Sequence, residues 1–235
     1  MLPAAPDRGR CQPAAHAPPA RADELIAFGA SGQLAPAATG GYSTTNYLAL
    51  QDIAETVTGE PLAQLIKEWL TDPLGMTRTS LPPNDDTTLP DPAAHGYLST
   101  PCVEEITHDG GTGEVGTDTT DWNASYGQGG GGMTSTDADL GIWARSLSGT
   151  STLSPELGAR RLNTRDIGLG GFDYGLGIID YQGRIGHEGE ALGWKGWASH
   201  DLATGVTVVV FTTTCSVIGK VMGLVEGFDP ATGAP

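Results

Sequence analysis

Two stretches of the chain carry side chains able to do chemistry, Gly183-Arg184-Ile185-Gly186-His187-Glu188-Gly189-Glu190 and Tyr42-Ser43-Thr44-Thr45-Asn46-Tyr47. On a strand, His187 and Gly189 share one face while Glu188 takes the other. A glycine beside a histidine lets a ligand's backbone come close to the strand. Taken alone, His187 reads as a satisfied sheet histidine and Tyr42 as a loop aromatic packed over a helix start. A phenol titrates near about 10 in water, so Tyr42 could act as a base only with cationic neighbours. A metal set of His187, Glu188 and His200 lacks recognisable ligand spacing. The glycine run Gly127 to Met133 could cradle a phosphate, but no Lys-Ser/Thr follows at Walker spacing.

The elements that must hold these residues can be traced from periodicity and turn signals. Phe172 to Tyr181, the His187 stretch, Trp194 to Ser199 and Val206 to Phe211 are β-prone runs split by Gln182-Gly183 and Ala203-Thr204-Gly205. They predict an antiparallel meander of four strands with His187 near its centre. Tyr47, Leu50, Ile53, Ala54 and Val57 recur at helical spacing, so a helix begins near Thr45 or Asn46, behind capping hydroxyls at Ser43 to Thr45. Gly59 is its stop, and Pro61 opens a second helix burying Leu62, Leu65, Ile66, Trp69 and Leu70. Residues 77–121 read mostly as loop, with short strands around Gly96-Tyr97-Leu98. Thr136 can cap a further helix, with Asp139 placed to reach back and Leu140, Trp143, Ala144 and Leu147 as its buried stripe. Ser216 to Phe228 reads as a closing helix. The fold class is therefore α+β, an antiparallel sheet flanked by helices.

A net charge of −16 leaves no basic stripe to neutralise phosphates, which argues against nucleic acid and anionic membranes as partners. With 35 glycines and 17% charged residues, the composition suits a loop-rich domain better than a helical bundle. No apolar run reaches the roughly 20 residues that cross a bilayer. The N-terminus lacks a signal peptide's apolar core. Cys11, Cys102 and Cys215 are far apart and odd in number, which reads as incidental free thiols.

The Tyr42–Tyr47 stretch, the helix pair ending in Asp72-Pro73-Leu74-Gly75-Met76, Gly129 to Leu140, Tyr174-Gly175-Leu176-Gly177 and Gly186-His187-Glu188-Gly189 occur in one order. Together they resemble the penicillin-recognising serine hydrolases: class C β-lactamases, D-alanyl-D-alanine carboxypeptidases and related esterases. The resemblance covers roughly residues 22 to 228. It implies acyl transfer on a D-Ala-D-Ala peptide, β-lactam or ester, with no cofactor. Tyr42 would be the motif tyrosine that moves the proton, and His187 and Gly189 the strand lining the substrate. The backbone N–H of Glu190 would be an oxyanion donor. Thr44 stands where the family has asparagine, and a hydroxyl cannot present an amide's separate donor and acceptor ends.

The family's Ser-x-x-Lys element is missing: no serine has a lysine three residues on, and Ser216 with Lys220 has the wrong offset and place. The expectation is a chain lacking the N-terminal strands and nucleophile helix, inactive alone, with residues 1–21 disordered, 22–228 a partial domain and 229–235 a tail. A non-catalytic binding module and a non-functional fragment are the alternatives. A sheet without its first strands would expose an unpaired edge and favour self-association. For a full-length relative the resemblance implies export; this chain's own compartment stays open.

Overall fold

Glycine-marked turns cut the second half of the chain into hairpins. The computed structural model describes residues 21–31, 41–84, 86, 88–108, 112–122, 127–147, 152–168, 171–191 and 193–215. Within them a sheet runs in sequence order through β1 (Arg165–Asp166), β2 (Asp173–Tyr174), β3 (Ile179–Tyr181), β4 (Arg184–Ala191), β5 (Trp194–Asp201) and β6 (Thr207–Thr212), every neighbour antiparallel. The expected meander is present, but its first run is cut in two. Gly177, at φ 71°, turns the chain back between β2 and β3, and β1 adds a further short strand. Gln182 and Gly183 both take positive φ, 54° and 85°, which suits the tight turn into β4.

The helices are α1 (Ala22–Ser31), α2 (Thr44–Thr58), α3 (Leu62–Ile66), α4 (Asp72–Leu74), α5 (Thr100–His108), α6 (Asp137–Leu147) and α7 (Pro155–Arg161). A π-helical turn, Lys67–Thr71, joins α3 to α4. Gly59 at φ 74° and Gly75 at φ 71° end two helical segments in the left-handed conformation that glycine adopts without strain. At α6 the Asp139 N–H donates to Thr136 Oγ1, as a cap should. The Asp139 carboxylate does not reach back; it accepts from the Arg78 N–H and the Thr79 hydroxyl, tying the segment after α4 to the start of α6.

Among the described residues, three small clusters form much of the core. Leu147, Ile178 and Ile185 join α6 to the sheet, Ile179 and Trp197 form the second, and Leu98, Cys102, Ile106 and Cys215 the third. The last cluster holds two departures from expectation. Residues 100–108 are helical, not loop, and Pro101 in the first turn was the readable sign. Cys102 and Cys215 are not free thiols; they form a disulfide linking α5 to the residues just after β6. Cys11, residues 1–20 and the closing helix at Ser216 to Phe228 lie outside the described residues.

Helical spacing placed Leu50, Ile53 and Val57 on one face of α2, and that face is exposed at 57%, 56% and 79%. Trp69, expected inside, is 59% exposed. Periodicity says which side chains share a face, not whether anything covers it.

One glycine of β4 is forced by its neighbours. A Cβ on Gly186 would lie 2.1 Å from the Ala198 carbonyl oxygen and 2.7 Å from the Ser199 Cα, both backbone atoms. Gly189, three residues on, has nothing within 4 Å of the same point. Gly186→Ala is therefore expected to cost about 1–3 kcal/mol, whereas Gly189→Ala should melt like the parent. Equal melting temperatures for the two variants would contradict this packing.

Candidate functional site

Tyr42 precedes Ser43, the N-cap of α2, and the glycine run holds that end in place. The Gly129 N–H donates to Gln51 Oε1 at 2.9 Å, and a Cβ on Gly130 would meet the Thr44 methyl at 2.5 Å. Gly127 to Gly132 thus serves close packing against α2. Opposite lies β4. Its β3 neighbour pairs only with Arg184 to Gly186, so from His187 onward β4 has β5 as its one strand partner among the described residues.

Across this gap the Tyr42 ring lies 6.0 Å from that of His187, centroid to centroid. Tyr47 and Tyr174 complete the group, each with its ring 5.7 Å from that of Tyr42. The Tyr174 and His187 rings meet edge to face at 5.6 Å. His187 is tied at both nitrogens: Nε2 lies 2.8 Å from the Tyr174 hydroxyl, and Nδ1 lies 2.6 Å from the Glu188 carbonyl oxygen. Tyr174 is in turn hydrogen-bonded to the Tyr47 hydroxyl. Burial first, and then the bond to Tyr47, push the Tyr174 phenol far above its ordinary pKa, so it stays protonated and can donate.

The other expected residues divide. Gly189, two residues on from His187, has open space where a Cβ would stand. The side chain of Glu190 points to the opposite face, where its carboxylate takes Lys195 Nζ at 2.5 Å; Glu188 approaches the same ammonium at 3.5 Å. Lys195 is only 6% exposed, so the two carboxylates balance a buried cation behind the site. The expected role of Glu190 concerns its backbone N–H alone. Thr44 is exposed, with its methyl turned toward Gly130.

Sequence reasoning quoted Tyr47 and Tyr174 only as parts of motifs and missed their role around His187. The available signal was chemical: both are phenols at half-buried aromatic positions, and a buried hydroxyl needs a partner. Among the described residues no three His, Cys, Asp or Glu side chains are grouped to hold a metal ion. Among them, too, no helix is long and apolar enough to cross a membrane.

A family model described as Beta-lactamase matches residues 4–217. Among solved structures, the fold is similar to D-amino acid amidase from Ochrobactrum anthropi SV3, solved with D-phenylalanine. That match has 22% identity and a TM-score of 0.74, over 89% of this chain and 61% of that one. A D-stereospecific amidohydrolase from Streptomyces sp. matches at 22% identity and TM-score 0.73, over 86% and 59% of the two chains. A penicillin binding protein from Bacillus halodurans matches at 18% identity and TM-score 0.71, over 89% and 62%. At these identities the likeness speaks for the fold alone. The chain spans about three fifths of the length of these structures. Comparison with curated proteins gave no match.

Proposed function

The chain belongs to the beta-lactamase family, and on that premise we propose that Tyr42 and His187 line one wall of an acyl-transfer site for D-configured amides, β-lactams or esters. The observation that carries this reading is the 6.0 Å approach of the two rings across a β4 edge that stands open above Gly189. In this reading the substrate's backbone lies along that edge, over Gly189, with the Glu190 N–H as oxyanion donor. Tyr42 handles the proton at the reacting group. Amide, lactam and ester substrates share one acyl-enzyme chemistry, so the wall alone does not choose among them.

A second reading has its own support. Thr44 replaces the family's asparagine and no Ser-x-x-Lys is present, which suits a module that binds such ligands without acylating; a non-functional fragment is the remaining alternative. The Cys102–Cys215 disulfide supports an oxidising compartment. β6, with a single strand partner among the described residues, supports self-association through its edge.

The test is reversible binding of D-phenylalanine amide and of a penicillin, followed by calorimetry, to the parent and to Gly189→Val. Valine suits a strand and meets open space, so folding should be kept while the ligand's approach is blocked. Binding to the parent that is lost in the variant supports the site. A folded parent that binds neither probe overturns it.

A further inference from the structure

The hydrogen bonds around His187 can be satisfied in only one order when the ring is neutral. Nδ1 faces the Glu188 carbonyl oxygen at 2.6 Å, and a carbonyl only accepts, so the ring's proton sits on Nδ1. Nε2 is then a bare acceptor, and the Tyr174 hydroxyl at 2.8 Å supplies its donor. Having given its one proton to His187, Tyr174 can only accept from Tyr47, the other hydroxyl bonded to it. The chain of donors therefore runs from Tyr47 to Tyr174 to His187 to the Glu188 carbonyl. Each member of the chain is half-buried or held by the backbone.

We infer that Tyr174, with Tyr47 donating to it, is a positioning residue that holds His187 as the neutral Nδ1–H tautomer and turns that side chain into a fixed wall. Protonating Nε2 requires Tyr174 to turn from donor to acceptor toward the ring, so that its own proton loses the His187 nitrogen as its partner. A ring so tied is a poor shuttle for a proton leaving a substrate. The consequence at the substrate rests on the acyl-transfer reading; the tautomer itself does not.

Two-bond 1H–15N correlation spectra of the chain labelled with 15N-histidine, taken at mildly alkaline pH and assigned with His187→Asn, read the tautomer directly. The expected parent pattern is a protonated Nδ1 and an acceptor-type Nε2. Tyr174→Phe should lose that signature and give Nε2–H or an average of the two forms. Tyr47→Phe should keep Nδ1–H, because Tyr174 can still donate. A parent carrying Nε2–H overturns the assignment. So does a folded Tyr174→Phe with an unchanged spectrum, and so does a tautomer switch in Tyr47→Phe. If Tyr174→Phe does not fold, the parent and Tyr47→Phe spectra decide alone. Ligand binding plays no part in this readout, so failure of the site reading and failure of the tautomer reading are seen separately.

Discussion

Incubated with a fluorophosphonate probe or a labelled penicillin, this chain is expected to take up covalent label about 10⁶-fold more slowly than a serine hydrolase of its family that carries Ser-x-x-Lys. That factor is the cost of removing a serine nucleophile from a working triad. The basis is chemical. A serine hydroxyl is a weak nucleophile until a base lies within hydrogen-bond reach, and none of the chain's serines has a lysine three residues on. The serines of the Tyr42–Tyr47 and Gly129–Leu140 stretches do not replace that pair. Ser43 stands exposed at the N-cap position of α2 without a side-chain capping bond, and the Ser135 hydroxyl is bonded to that of Thr79 at 2.7 Å. His187 cannot act as their base while both of its nitrogens are occupied. Intact mass after long incubation checks the expectation. A stoichiometric adduct mapped to Ser43 or Ser135 would overturn it and reveal a nucleophile built differently from the family's. Weak label scattered over several hydroxyls would agree with it.

The second large effect concerns stability. Replacing Cys102 and Cys215 by alanine, or reducing the bond between them, should destabilise the fold by about 4–5 kcal/mol, the chain-entropy value for a loop of this size. The bridge closes 113 residues, a stretch that holds α6, α7 and all six strands. For a chain of this length such a loss lowers the melting temperature by roughly 10–20 °C. The effect should be strong because the core it supports is small. Beside the two cysteines, only Leu98 and Ile106 are buried in that cluster. Thermal melts with and without reductant read the shift, and a thiol count in denaturant should rise by two on reduction. Coincident melts, or an unchanged thiol count, would remove this account.

What could be read from the sequence was mostly local. Gly59 ended a helix where its conformational freedom predicted, whereas the second helical segment, expected to stop before Asp72, runs on to Leu74 and ends at Gly75; the β-prone runs between turn signals became neighbouring strands. The meeting of Tyr42 with His187 was expected from the order of motifs, and the rings do lie together. The bond from Tyr47 to Tyr174 joins residues 127 apart in the chain, and no spacing rule reaches that far. The pairing of Cys102 with Cys215 escaped for the same reason, because cysteine arithmetic gives numbers and not neighbours. Helix α5 escaped because Thr100, Val103, Ile106 and Thr107 are modest helix formers. It is held by the disulfide and the cluster beneath it, which are tertiary facts.

The uncovered face of α2 also shapes how this protein responds to temperature. Unfolding raises heat capacity mainly by newly wetting apolar surface. Leu50, Ile53, Val57 and Trp69 are already more than half wetted in the folded chain, so they add little to that rise. The increment should accordingly be slightly smaller than in a protein of equal length whose corresponding side chains are covered. A smaller increment flattens the dependence of stability on temperature, so cooling weakens this fold less steeply than it would a protein of equal length whose helices are covered on every apolar face.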